Sequence, residues 1–300
     1  METSLTTAAA PGESAQSWRA RLDPVLLLLA PATALMLLVF VYPFLYGLGL
    51  SFRPLQGSWT ANYSKFFSDD QLWPTILTTL KLALPATVIN VGLALPLAYR
   101  LRRKSRYQKA ITAVLVVPIT LGTVLIADGM LTYLGPRGWL SLTLQLLHLY
   151  RGPIHLTHNY EGVLLSLIVS GFPFVFLLIL SYITGIDPVL PRAAATLGAR
   201  PYDQFRYIYL PLLSPGLAMA FCLAFVQAFS VFPSAILLGA PAGPTRVTSI
   251  AAYEAAFEQY DYPLASCVAM LMGLAQLIVV AAVLSLRGLF YRGPVAGGKG

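Results

Sequence analysis

The side chains of this sequence that could do chemistry are few, and they lie within or beside long apolar runs. Asp128 is a carboxylate inside such a run, where burying a charge is costly and therefore indicates function. It could attract a passing cation, while nearby aromatic rings offer cation–π contacts. Alternatively, Asp128 lies near the outer end of its helix, capped or paired with Lys81. The other candidates for a solute path are Tyr133, Gln227, Phe229, Ser230 and Phe232, of which the polar pair could instead hydrogen-bond between helices.

Metal-binding and catalytic groups form no complete set in the sequence. His155 and His158 are three residues apart and could ligate a metal, but no cysteine or carboxylate set completes a site. Cys222 and Cys267 lie in apolar runs and are expected to be buried as small hydrophobic side chains. A Gly-x-x-x-x-Gly-Lys-Ser/Thr motif for ATP phosphates and a paired nucleophile and base are both missing. We therefore predict a chain that is not an enzyme and holds no metal or cofactor of its own.

The composition places the elements that carry these side chains in a lipid bilayer. Of the 300 residues, 57% are hydrophobic and 11% are charged, with a mean hydropathy of +0.71. A soluble domain carries about 25% charged residues. Six segments are long and apolar enough to cross a membrane as helices. They are residues 25–50, 74–99, 111–134, 162–184, 216–239 and 263–286, so the predicted fold is an all-α polytopic membrane protein.

The basic residues predict the orientation of these six spans. Most of the 20 Lys and Arg residues precede the first span, separate the second from the third and the fourth from the fifth, or follow the sixth. Because basic loops face the cytoplasm, we predict that both termini are cytoplasmic. This topology accounts for the net charge of +8 without a nucleic-acid partner. The predicted organisation is a cytoplasmic tail (1–22), a transmembrane domain (23–292) with a cytoplasmic loop at about 185–214, and a disordered tail (293–300).

The cytoplasmic loop between the fourth and fifth spans has the signals of two short helices. Asp187 is a suitable N-cap, and Pro188 follows it at the first helical position. Gly198 can adopt the left-handed conformation that ends a helix. Pro201 is expected to begin a second helix, which Pro211 is expected to end. Such a structured basic loop, with small alanine side chains in its first helix, is typical of a surface that docks into a groove on a soluble partner.

The spacing in this loop resembles the coupling loop of permease subunits from binding-protein-dependent ATP-binding-cassette importers. Their pattern is Glu-Ala-Ala, three residues, Gly, nine residues, Ile, any residue and Leu-Pro. This chain departs from it at Arg192, where the family usually has Glu. Either the ATPase presents an acid there, or the other permease subunit makes that contact. The resemblance assigns the ATPase-coupling role to Arg192, Ala193, Ala194, Leu197, Gly198, Phe205, Ile208, Leu210 and Pro211.

The resemblance also implies partners and a location. It implies two ATPase subunits that bind ATP and Mg, a second permease subunit, an extracytoplasmic solute-binding protein, and a bacterial inner membrane. The segments 95–99, 171–174 and 237–239 look most like the spermidine/putrescine branch, although branches for iron, thiamine, phosphonate or sugar are similar. A transporter driven by an ion gradient is the alternative class. It would need an internal repeat and coupled ionisable groups in its spans.

Overall fold

The computed structural model describes residues 24–102, 106–148 and 156–290. The predicted tails 1–22 and 293–300 and the candidate ligand His155 lie outside these ranges. The described part of the chain divides into two compact units, with the boundary between Tyr46 and Gly47. All candidate site residues belong to the second unit.

The regular elements of the described chain are all helices, with no β-strand among the described residues, which confirms the predicted all-α class. Three five-residue π-helical turns, Leu37–Val41, Phe205–Tyr209 and Glu254–Glu258, interrupt or extend the α-helices. The α-helices are α1 Pro24–Met36, α2 Tyr42–Ser51, α3 Ala61–Ser68, α4 Pro74–Arg100, α5 Arg106–Leu134, α6 Trp139–Leu146, α7 Tyr160–Thr184, α8 Val189–Thr196, α9 Pro201–Gln204, α10 Leu210–Phe229, α11 Pro233–Leu237, α12 Thr248–Tyr253 and α13 Tyr262–Phe290.

Six helical segments in the described ranges are long and apolar enough to cross a membrane, as predicted. They are Leu28–Ser51, Pro74–Arg100, Arg106–Leu146, Tyr160–Thr184, Pro201–Phe229 and Tyr262–Leu286. The third is longer than expected because α6 follows α5 after a short turn. For this segment the sequence predicts a short re-entrant or interfacial helix over residues 139–149, and α6 begins at the predicted residue, Trp139. Leu146 at its other end is 79% exposed, which suits contact with lipid.

The helices α4, α7 and α10 pack together as the core of the second unit. Ala94 and Ala98 of α4 and Ala220 of α10 are fully buried, and small side chains of this kind let helix backbones approach closely. Larger side chains, such as Phe176 and Ile179 of α7, fill the space between them. The core therefore fixes the relative positions of the three helices that carry the candidate sites.

Helix α5 contains a break that the sequence reading did not predict. Gly122 has φ 76° and ψ 162°, which is not helical, and it follows Pro118 by four residues. Glycine adopts positive φ without the cost that a Cβ imposes. The predicted third span is thus two helical pieces joined at Gly122.

The fifth span differs from its predicted bounds of 216–239. Pro211 does not end a helix, since one helical segment runs from Pro201 to Phe229. The π-helical turn just before Pro211 explains this difference, because the N–H of Leu210 donates to the carbonyl of Phe205, five residues back. A regular α-helix would bring the proline ring against the carbonyl four residues earlier, and the wider turn provides room for it.

The chain after Phe229 leaves the helix and forms only the five-residue α11 before the next loop. Neighbouring helices satisfy polar groups of this segment. The hydroxyls of Ser166 and Ser234 lie 2.8 Å apart, and the Gln276 amide donates to Ser230 Oγ at 2.9 Å. Non-helical backbone at membrane depth is tolerated where protein covers it or where it lines a cavity.

Candidate functional site: a coupling loop and a polar cavity

The first loop helix, α8, begins at Val189, one residue after the predicted first helical position at Pro188. The Asp187 carboxylate accepts a hydrogen bond from the N–H of Val189 at 2.9 Å, so it satisfies a donor that the helix leaves free. Pro188 immediately precedes the helix. Pro191 on this helix is buried, whereas Arg192 is exposed. One side of α8 therefore packs against the protein and the other faces outward.

Gly198 ends α8 in the left-handed conformation, with φ 85°. The N–H of Gly198 donates to the carbonyl of Ala195, and the N–H of Ala199 donates to that of Ala194, both at 3.0 Å. This pair of bonds is a Schellman motif, which satisfies carbonyls at a helix C-terminus. Leu197 beside it is 89% exposed. The turn thus presents an apolar side chain outward on a fixed backbone.

The second loop helix begins at Pro201 and continues into the fifth span. The N–H of Arg200 donates to the Asp203 carboxylate at 3.2 Å, and this bond caps the start of the helix. The π-helical turn Phe205–Tyr209 follows directly, and α10 follows that turn. The second loop helix and the fifth span therefore form one continuous helical segment, Pro201–Phe229.

The predicted coupling residues divide into an exposed set and a partly buried set. Arg192 is exposed and has no ion pair with any residue in the described ranges. Ala194, Phe205 and Ile208 are partly buried. The exposed set comprises Arg192, Ala193, Leu197, Gly198, Leu210 and Pro211. The geometry leaves these residues accessible, while their contact with an ATPase stays a prediction.

An arginine and two tyrosines connect the end of α4 to the start of the fifth span. We call Tyr99, Arg102 and Tyr209 the arginine clamp. The Arg102 guanidinium lies 3.9 Å from the centre of the Tyr99 ring and 5.2 Å from that of Tyr209. Its Nε donates to the Tyr209 hydroxyl at 3.2 Å, and its Nη1 donates to the Tyr99 carbonyl at 2.6 Å. The Tyr99 hydroxyl donates to the carbonyl of Pro201 at 3.0 Å.

Sequence reasoning missed the arginine clamp. Arg102 belongs to a run of basic residues, and in a sequence such a run indicates the orientation of the spans in the membrane. Its partner Tyr209 is 107 positions away in the chain. The spacing of Tyr99 and Arg102 by three residues was the available signal, because such residues are neighbours on a helix surface.

Three of the six candidate path residues meet at one cavity. Gln227, Ser230 and Phe232 line a space of about 70 Å³ between α4, α5, α7 and the broken end of the fifth span. No charged side chain occurs among the described residues that line it. The complete lining is Asn90, Thr123, Leu167, Ser170, Gly171, Ala224, Gln227, Ala228, Ser230, Val231, Phe232, Pro233 and Ser234.

The other three candidates lie elsewhere. Phe229 is fully buried, with its ring 5.4 Å from that of Phe225, and belongs to an apolar cluster. Tyr133 and Asp128 are exposed and are not among the residues that line the cavity. Within the described ranges Asp128 forms no ion pair, so the pairing with Lys81, which the sequence offered as one alternative, does not occur there.

Asn90 on α4 also lines the cavity; in the sequence it is a residue that could either line the path or hydrogen-bond between helices. It is only 3% exposed, and its Nδ2 donates to the carbonyl of Leu167 at 3.3 Å. Its Oδ1 is buried with no hydrogen-bond partner in the described protein. An added Cβ on Gly171 would lie 2.6 Å from Asn90 Nδ2, so this glycine makes room for the amide. The cavity therefore contains a buried acceptor that the described residues leave unsatisfied.

Comparisons with known proteins agree with this architecture. A family model described as binding-protein-dependent transport system inner membrane component matches residues 90–293. The sulfate transport system permease protein CysT of Salmonella typhimurium is 26% identical over 239 residues, covering 79% of this chain and 84% of the relative. The spermidine/putrescine transport system permease protein PotB of Haemophilus influenzae is 28% identical over 180 residues, covering 59% and 62%.

A solved structure has the same fold. One chain of a bacterial alginate ABC transporter, in complex with alginate pentasaccharide-bound periplasmic protein, has a TM-score of 0.77. The alignment covers 91% of this chain and 97% of that chain at 22% sequence identity. An identity this low supports the fold and leaves the transported solute open.

Proposed function

Because this chain belongs to the family of binding-protein-dependent transport system inner membrane components, we propose that it is the permease subunit of an ATP-driven importer for a small solute. The observation that carries the proposal is the continuous helical segment Pro201–Phe229. It begins in the exposed loop and ends beside the polar cavity. A movement imposed on the start of this segment would therefore reach the cavity through one continuous helical element.

The partners of this importer follow from the family and its fold. The chain pairs with a second permease subunit, and the assembly contains two ATPase subunits that bind ATP and Mg, one of which docks on the loop. An extracytoplasmic binding protein delivers the solute. The alginate transporter with its bound periplasmic protein supports this assembly by fold likeness. We place the chain in a bacterial inner membrane with both termini in the cytoplasm, and nucleic acid has no role.

For the solute, we propose a small oxyanion of the sulfate type. The sequence prediction of a polyamine gains no specific support, since the CysT relative matches 79% of the chain and the PotB relative only 59%. The cavity agrees better with an anion than with a polycation, because its described lining offers hydroxyl and amide groups and no carboxylate. Hydroxyls and amides donate hydrogen bonds to an anion, whereas a polycation would favour carboxylates.

Uptake into proteoliposomes tests this proposal. The complex would be purified from host membranes through a tag on this chain, so that the native partners accompany it. We expect uptake of labelled sulfate to require ATP on the side of the ATPases and to be blocked by unlabelled sulfate but not by putrescine. Competition by putrescine alone would restore the polyamine assignment. Uptake without ATP that a proton ionophore abolishes would instead identify an ion-gradient transporter.

A further inference from the structure

The chain gives α4 no direct covalent link to the loop that contacts the ATPase. The fifth span continues from that loop, and α7 leads into it, but α4 continues into α5 on its cytoplasmic side. Yet α4 carries Asn90, which lines the cavity. If movement of the loop changes the shape of the cavity, then noncovalent contacts near the C-terminal end of α4 must move α4.

The arginine clamp is located where those contacts are needed. Its guanidinium stacks on Tyr99 of α4 while its Nε donates to Tyr209 of the π-helical turn. The Tyr99 hydroxyl adds a bond to the first residue of α9, and the Tyr99 ring packs edge-on against Phe205 at 4.8 Å. Tyr209 is 93% buried. The arginine clamp therefore joins α4 to α9 and the π-helical turn through several contacts.

The chemistry of arginine suits this position. A guanidinium is planar, so it can stack on a ring and donate hydrogen bonds in its own plane at the same time. A lysine ammonium retains the charge but cannot stack or donate in two fixed directions. The Tyr99 carbonyl that Nη1 reaches lies in the last turn of α4, where carbonyls lack helical partners and a positive charge is favourable.

We infer that Arg102 is a positioning residue that transmits movement of the coupling loop to α4, so that α4 and the fifth span move together around the cavity. This inference rests on the proposed importer function. Asn90 is nine residues from Tyr99, about 14 Å along the helix at 1.5 Å per residue. A displacement of the clamp would therefore reach the cavity wall along fewer than three turns of the same helix, α4.

The ratio of ATP hydrolysed to solute transported tests the inference in the complete reconstituted complex. We expect Arg102→Ala to raise this ratio about tenfold while ATP hydrolysis stays within about twofold of wild type. Arg102→Lys should raise the ratio nearly as much, because a positive charge alone does not restore the stacking on Tyr99. Tyr209→Phe, which keeps the ring and loses the hydroxyl acceptor, should give an intermediate ratio. Arg100→Ala is the matched control, since Arg100 is an exposed arginine at the same helix end.

The outcomes separate the clamp from simpler explanations. A purely structural role for Arg102 would reduce the amount of assembled complex and leave the ratio unchanged, which would overturn the inference. Full rescue by Arg102→Lys would also overturn it, since the charge would then be sufficient. If the Arg102→Ala complex fails to assemble, the ratios measured for Arg102→Lys and Tyr209→Phe test the inference instead. If the wild-type complex shows no ATP-driven uptake of any solute, the importer function itself is wrong.

Discussion

Replacing Gly198 by alanine tests whether the left-handed turn after α8 sets the geometry of coupling. At φ 85° an added Cβ would meet no atom within 4 Å, so the change introduces backbone strain without a clash. A residue with a Cβ pays roughly 1–2 kcal/mol in this conformation. That energy corresponds to a factor of about 5–30 in an equilibrium constant. Because the free loop can relax this strain by opening the turn, which docking must then re-form, we expect the ATPase to bind the Gly198→Ala permease more weakly, by at most about 30-fold.

The assay is titration of the reconstituted permease with purified ATPase, read as solute uptake and as ATP hydrolysis. Gly185→Ala is the matched control in the same loop, because Gly185 has φ −78° and its added Cβ would make ordinary contacts at 3.5 Å or more. Gly198→Asn should retain much of the wild-type affinity, since asparagine tolerates the left-handed region. Equal ATPase affinity for wild type, Gly198→Ala and Gly185→Ala would refute the reasoning.

Two further predictions concern packing in the spans. Gly171→Ala would bring a Cβ within 2.6 Å of Asn90 Nδ2, so we expect the free energy of unfolding to fall by about 1–3 kcal/mol and the thermal unfolding midpoint to fall with it. Gly92→Ala is the control, because its added Cβ would meet nothing within 4 Å. Equal unfolding midpoints for the two variants would contradict the packing of Gly171 against Asn90. Cys222 and Cys267 are buried, so a maleimide should label neither in the folded protein and both after denaturation, whereas rapid labelling before denaturation would contradict the fold.

The features that the sequence predicted correctly depend on local physics. The spans follow from composition over about 20 residues, which the bilayer enforces. The start of α8 follows from Asp187 and Pro188, and its end follows from Gly198. Capping residues act within one helical turn, so their types and spacing are sufficient to locate a helix end.

The features that the sequence did not predict depend on partners distant in the chain. Pro211 looked like a helix end because a regular helix cannot hold it, and only the π-helical turn before it reverses that conclusion. The pairing of Arg102 with Tyr209 and the position of Asn90 against Gly171 are likewise set by the packing of α4 on its neighbours. A single sequence shows the residue types in these contacts but not which of them meet.

The length of the fifth helical segment explains how one element can serve both sites. Pro201–Phe229 comprises 29 residues, which at 1.5 Å per residue is about 43 Å. A hydrocarbon core is about 30 Å thick, so the segment exceeds it by about 13 Å, or two to three turns. The first turns of the segment contain Arg206, Phe205 and Tyr209. These turns can therefore lie in the membrane–water interface while Gln227 still lines the cavity. Had Pro211 ended the helix, the coupling loop and the cavity would have been joined by a flexible hinge, and motion at one would have been absorbed before reaching the other.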